Sequence, residues 1–283
     1  MPPKLVREGK IEILGQTSNS VVYAVADDCT ALAHNSQSVL KGGTVWYQGR
    51  EALGPGMNAE ESNMMLQREA RIYDKLGQSD RILKCHGLEL LPGSSGNLWA
   101  LRFERAPYGD LRKYIISNPA PDTRIRLQLA IQLAEGVDYI HERGIIWGDL
   151  STRNVLLFDN LQIKLSDFAN SALLDQYPPK MYGCEARYSP PSLGNDRSES
   201  DIKKREMFAL GTGICEISEW CVPYGSGIGE GEVMEALKAG KFPTVSGDNP
   251  AQSIIRQLWS YKYGSTHQVL VDLCHKAKVD IRR

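Results

Sequence analysis

Trp147-Gly148-Asp149-Leu150-Ser151-Thr152-Arg153-Asn154, with Asp167-Phe168-Ala169 beginning thirteen residues after Asn154, decides the reading of this chain. Two acids and an amide stand there as metal-dependent phosphoryl transfer requires. In that chemistry one Asp orients the attacking hydroxyl and takes its proton, while an Asn five residues on and a second Asp hold a divalent cation. Asp149, Asn154 and Asp167 fit those roles. The flanks agree, because Ile145-Ile146 and Val155-Leu156-Leu157 read as short buried strands on either side of a loop. A lone Asp at such a place would read as a loop cap. The whole arrangement is what points to chemistry.

Upstream, Lys10 to Leu14 and Val21 to Ala26 read as two strands around a polar turn, and Ser38-Val39-Leu40-Lys41 as a third. The Gly-rich and polar stretch 42–59 reads as a loop, leading into a helix over about 60–76 with Met65, Leu66, Glu69, Ile72, Tyr73 and Leu76 on roughly one face. Leu98 to Phe103 is a buried strand, and Ala106-Pro107-Tyr108-Gly109 breaks the pattern as a hinge would. From Asp110 onward helix signals dominate. Leu127, Ala130, Ile131, Ala134, Val137 and Ile140 keep a period near 3.6, with Asp138 the polar exception and Gly144 as the stop. The polar stretch Gly194 to Lys204 is the candidate mobile surface loop, and no internal repeat appears. A small β-rich lobe followed by a larger helical one is the expectation.

Composition narrows the function. With 33 Lys+Arg against 34 Asp+Glu, the net charge of −1 offers no electrostatic footprint for nucleic acid or an anionic membrane. The first ten residues are polar, and no run of about eighteen apolar residues occurs, so a soluble, intracellular, cytoplasmic protein is expected. The six cysteines lack CxxC spacing and read as free thiols rather than as a zinc site or disulfide framework.

The order of these features resembles the protein kinase superfamily, with its His-Arg-Asp written here as Trp-Gly-Asp and its Asp-Phe-Gly as Asp-Phe-Ala. The resemblance covers about residues 10–275. It implies an α+β, bilobal fold in a single domain over 1–283: a β-rich N-lobe with one helix at about 10–104 and a mostly α-helical C-lobe at 105–283. It also implies ATP and Mg²⁺ as cofactors and a protein as substrate. Asp149 is then the base, and Asn154 and Asp167 are the metal ligands. Lys41 pairs with the phosphates and with Glu69. Gly15 and Val22 belong to the phosphate cover, Phe103 is the gatekeeper, and the Glu104 carbonyl and Ala106 amide meet the adenine edge. Glu206 stands where the family has the Asp that bonds the catalytic-loop backbone, at the start of the central helix. Val222 to Gly225, Glu232 to Lys241 and Leu258-Trp259 resemble the loop and helices that follow.

Several positions depart from the family pattern. Only the first glycine of the phosphate cover survives, so Thr17 and Ser20 are expected to stiffen that turn. Gly148 replaces the arginine that clamps a phosphorylated activation segment, so activity is expected not to depend on phosphorylation at Ser171, Tyr177, Tyr182 or Ser189. Ala169 replaces a glycine of the metal loop. Arg187-Tyr188-Ser189-Pro190-Pro191-Ser192 closes the segment with Ser192 for the usual Glu, and Thr266 stands for its arginine partner, so both halves of one contact are exchanged. Arg153 resembles the tyrosine-kinase loop and Ser151 occupies the Ser/Thr-kinase lysine place, which leaves the acceptor hydroxyl open. Two other readings stand beside an active protein kinase. One is a pseudokinase serving as a nucleotide-binding or scaffolding module; the other is a small-molecule kinase of the aminoglycoside phosphotransferase type, against which Phe168, Pro190-Pro191 and Phe208 to Gly211 count.

Overall fold

The computed structural model describes residues 4–17, 20–26, 31–53, 58–94, 98–173, 185–191 and 199–279. Two compact units emerge, one drawn from residues 1–79 and 83–105, the other from 80–82 and 106–283.

The first unit runs α1 (Lys4–Arg7), β1 (Ile11–Gln16), β2 (Val21–Val25), β3 (Ser38–Gly42), β4 (Val45–Tyr47), β5 (Arg50–Leu53), α2 (Ala59–Leu76), β6 (Cys85–Leu90) and β7 (Trp99–Glu104). Five strands form an antiparallel sheet in the order β1-β2-β3-β7-β6. Ile11, Val21, Tyr23, Leu40, Val45, Tyr47 and Ala100 build its buried cluster. Tyr23 keeps a polar contact inside that cluster, its hydroxyl accepting the Trp46 amide at 3.1 Å, and burial pushes its phenol up to about 12.

The stretch 42–59 is not the continuous loop that its composition suggests. β4 and β5 pair as a hairpin, and the turn residues Gln48 and Gly49 both have left-handed φ, 51° and 76°. That is the backbone a two-residue hairpin turn demands, reached without the usual Asn-Gly signal. Val45 and Tyr47 then bury against the sheet, which the sequence pattern hid among glycines and polar residues.

Helix α2 starts at Asn58, whose side chain accepts the Glu60 amide at 2.8 Å, and ends at Gly77 with φ 66°. Its buried face carries Leu66, Glu69, Ile72, Tyr73 and Leu76. One of those five is an acid, and an acid on a buried face needs a partner.

The second unit runs α3 (Leu111–Ser117), α4 (Thr123–Glu142), β8 (Ile145–Ile146), β9 (Val155–Phe158), β10 (Gln162–Leu165), β11 (Ala172–Leu173), α5 (Glu199–Glu219), α6 (Glu230–Lys238), α7 (Gln252–Trp259) and α8 (Thr266–Ala277). Helix α4 packs against α5 and α8 through its apolar face. Asp138, the polar exception on that face, is answered from α8: Thr266 Oγ1 donates to it at 2.6 Å and His267 Nδ1 lies at 3.1 Å. Thr266 therefore completes a contact of its own. Ser192, its counterpart in the sequence argument, lies outside the described residues. Central helix α5 begins at Glu199, so 199–204 is helical, and the rest of the expected loop, 194–198, lies outside the described residues.

The described cysteines Cys85, Cys215, Cys221 and Cys274 are free thiols, and no described helix is long and apolar enough to cross a membrane. Cys29 and Cys184 lie outside the described residues.

Candidate active site

In the first unit, β3 is paired on both sides, and its register sets Lys41 opposite Val22 of β2 and Leu101 of β7. Lys41 is 6% exposed and Glu69 1%, and Nζ lies 2.8 Å from Oε2. The acid on the buried face of α2 thus meets the cation of the central strand. A buried pair of this kind is costly to break from one side, because the surviving charge stays in a poorly solvating interior. Lys41→Met is therefore expected to destabilise the protein by roughly 3–5 kcal/mol in urea unfolding, with Lys41→Met/Glu69→Gln recovering most of that loss. Equal midpoints for the single and double variants would contradict the pairing.

The turn between β1 and β2 is closed by its own hydroxyls. The Thr17 amide donates to the Ser20 carbonyl at 2.8 Å, and the Ser20 amide donates to Thr17 Oγ1 at 3.1 Å. These bonds restrict the backbone where glycines would leave it free. Gly15 sits in β1 at a register irregularity, opposite Val22, and Ser18 and Asn19 lie outside the described residues. Phe103, 4% exposed, packs its ring 5.2 Å from Tyr73 of α2. The Glu104 side chain accepts the Lys84 amide at 2.7 Å. Ala106 belongs to the second unit.

In the second unit, β8 pairs with β11 and β9 with β10, and the run Trp147–Asn154 crosses between those ladders. Asn154 Nδ2 donates to the Asp149 carbonyl at 2.8 Å, while its own carbonyl accepts the Ser166 amide and hydroxyl, each at 2.9 Å. Those bonds tie the 147–154 loop to the end of β10, just ahead of Asp167. Asp149 Oδ1 is buried and has no hydrogen-bond partner among the described residues. Burial, reinforced by the charge of Asp167, raises the Asp149 carboxyl to about 6, against the opposing pull of Arg153, Asn154 and Asn170. Asp167 itself carries a left-handed φ of 58°, the kind of strained backbone that collects at functional sites. Ala169 has no such φ, so replacing the family glycine there imposes no strain in this conformation.

Trp147 has no exposure and replaces the family histidine with a different anchor. Its indole N–H donates to the carbonyls of Ser166 at 3.1 Å and Asp167 at 3.2 Å, and its ring lies 5.9 Å from Phe168. Ser171, fully buried, donates its hydroxyl to the Trp147 carbonyl at 2.6 Å, so it is sequestered from any modifying enzyme in this state. Tyr177 and Tyr182 lie outside the described residues. Gly148 has φ 81°, and a Cβ built there would stand 2.4 Å from the Asn170 carbonyl oxygen. The missing arginine is thus a packing requirement as well as a lost cation. Glu206 reaches despite its extra methylene: Oε1 accepts the Gly148 amide at 2.9 Å, and its other oxygen bonds His141.

Lys41 and Glu69 meet in the first unit, and Asp149, Asn154 and Asp167 gather in the second. Sequence reading missed a buried cluster beside the 147–154 loop, comprising Arg112, Glu185, Tyr188 and Glu216. Its only advance signal was a pair of opposite charges, Glu185 and Arg187, just ahead of the prolines.

The family described as protein tyrosine and serine/threonine kinase matches residues 53–265. The interferon-induced, double-stranded RNA-activated protein kinase of Rattus norvegicus is 32% identical over 143 residues, 50% of this chain and 27% of that protein. A probable serine/threonine-protein kinase of Dictyostelium discoideum is 30% identical over 184 residues, 64% of this chain and 12% of that protein. Mitogen-activated protein kinase kinase kinase 17 of Arabidopsis thaliana is 26% identical over 216 residues, 75% of this chain and 52% of that protein. The chain therefore spans about half or less of the length of these relatives.

Proposed function

The chain belongs to the protein tyrosine and serine/threonine kinase family, and from that premise we propose that it transfers the γ-phosphate of ATP to a protein hydroxyl. The observation that carries this reading is the state of Asp149. Burial and the charge of Asp167 push its carboxyl up to about 6, and its Oδ1 is buried without a hydrogen-bond partner among the described residues, which suits a base that must be ionised yet still take a proton near neutral pH.

The donor chemistry fits Mg²⁺, because the Asn154 amide oxygen and the Asp167 carboxylate are hard oxygen ligands. When bound, that cation would neutralise charge on the phosphate oxygens. The chain's own residues have separate tasks. Asp149 orients the acceptor hydroxyl and takes its proton. Asn154 and Asp167 hold the metal, and Trp147 fixes the Asp167 backbone through its carbonyl. Lys41, kept in place by Glu69, meets the nucleotide phosphates. Gly15 and Val22 cover them, and Phe103, Glu104 and Ala106 border the adenine. The 1–283 stretch acts as one catalytic domain in this reading, in the cytoplasm, on a protein substrate and without nucleic acid.

Mg²⁺-ATP at about a hundred times its dissociation constant should stabilise the protein by roughly 2.7 kcal/mol, a melting shift of several degrees. The test is differential scanning fluorimetry with ATP, with and without Mg²⁺ or Mn²⁺. No shift under any of those conditions would remove the nucleotide-site reading.

A further inference from the structure

We propose that Glu185 is a built-in anionic latch, a positioning residue that sets the catalytic loop without a phosphate. The proposal rests on the kinase reading of the second unit. Glu185 is 8% exposed and lies in the closing end of the activation segment. Its carboxylate takes Arg112 Nη1 at 3.1 Å and Nη2 at 3.3 Å, Arg153 Nε at 3.3 Å and the Ser151 hydroxyl at 3.3 Å. Arg187 Nε stands 2.8 Å away as an ion pair, and the same guanidinium donates to the carbonyls of Pro223, Gly225 and Ile228 ahead of α6.

Ser151 and Arg153 lie between the proposed base, Asp149, and the proposed metal ligand, Asn154. The residue between them is held by the same cluster. Thr152 donates its hydroxyl to Glu216 at 2.7 Å and its amide to the Tyr188 hydroxyl at 3.3 Å, while Arg112 also bonds Glu216. Ser151, Thr152 and Arg153 are thus all held by one set of buried charges.

A phosphate orders an activation segment by bringing negative charge to arginines. Here three arginines already meet a carboxylate that belongs to the chain. Although burial pushes its carboxyl up, Arg112, Arg153 and Arg187 hold Glu185 below the usual carboxylate range, so the latch is ionised at neutral pH. The chemistry of a phosphorylation switch is present in permanent form. Buried ion clusters are weak sources of net stability, so the role assigned to Glu185 is the fixing of one geometry.

The test compares wild type, Glu185→Gln, Glu185→Asp, Arg153→Gln and Glu185→Gln/Arg153→Gln in Mg²⁺-ATP phosphate transfer, together with amide hydrogen exchange. Glu185→Gln should lower kcat by about 10- to 100-fold through loop misplacement, with the KM for ATP unchanged. Glu185→Asp should restore part of the rate. Arg153 is half exposed, so its variant tests the latch with little risk to folding; it should lower kcat in the wild-type background and not in the Glu185→Gln background. Exchange in the peptide covering 149–155 should speed up in Glu185→Gln while peptides of α4 stay protected. Phosphatase-treated wild type should keep its rate.

An unchanged kcat in Glu185→Gln, additive effects in the double variant, or unchanged exchange at 149–155 would overturn the latch. If wild type transfers no more phosphate than Asp149→Asn, the kinase reading fails by itself, and the exchange measurement still decides whether Glu185 holds the loop.

Discussion

Asp149→Asn is expected to lower phosphate transfer by about 10²- to 10⁴-fold while leaving Mg²⁺-ATP binding nearly intact, because it removes a general base and keeps the shape of the side chain. The same substitution should make the nucleotide-free protein more stable at pH 7. The Asp149 carboxyl stands at about 6 in the fold, against about 3.9 in an unfolded chain, so folding favours its neutral form. Its contribution to stability is complete below the unfolded value and is lost as pH rises through about 6. At pH 7 the ionised group costs of the order of 2–3 kcal/mol, which an amide avoids. The melting temperature of Asp149→Asn should exceed that of wild type by several degrees at pH 7 and match it near pH 4. In wild type, kcat/KM should fall tenfold per unit on the acid side of about pH 6, as the base is protonated. Equal transfer by wild type and Asp149→Asn would favour the pseudokinase reading. A melting temperature lowered at pH 7 would show that the carboxylate is not destabilised by its surroundings.

Gly148→Arg, which restores the arginine usual before the catalytic Asp, should damage the protein rather than improve it. The residue sits at φ 81°, a conformation costing a side-chain-bearing residue roughly 1–3 kcal/mol, and its Cβ would press on the Asn170 carbonyl oxygen from 2.4 Å. Backbone cannot rotate away as a flexible side chain can. Relieving that contact means shifting the β8–β11 ladder or the catalytic loop, so a further 1–3 kcal/mol is a reasonable order for the overpacking. Chemical denaturation should show a loss of roughly 2–6 kcal/mol, and transfer should drop at least 10²-fold because Asp149 is the next residue. Gly148→Ala should show most of the same loss, since the strain begins at Cβ. Wild-type stability in either variant, or a gain of activity on activation-segment phosphorylation in Gly148→Arg, would contradict this account.

The family and the α+β fold class were legible in the sequence because each rests on local signals. Asp149, Asn154 and Asp167 fall at fixed spacings between short apolar strands. Helix α4 announces itself by period and by Gly144, and Lys41 is recognisable at the end of a β-like run. The β4–β5 hairpin was not legible, because Gln48-Gly49 takes a turn geometry that its residue types do not advertise. Partners distant in the chain were not legible either. Glu185 meets Arg112 from 73 residues away, and Thr266 meets Asp138 from 128. At Gly148 the absent cation was visible in the sequence, and the Asn170 carbonyl that excludes any side chain was not. The sequence by itself determined the family, since residue types and their spacings are covalent facts. Only the tertiary structure decided how those residues are held and charged, because burial, ion pairing and steric exclusion arise from segments that packing alone brings into contact.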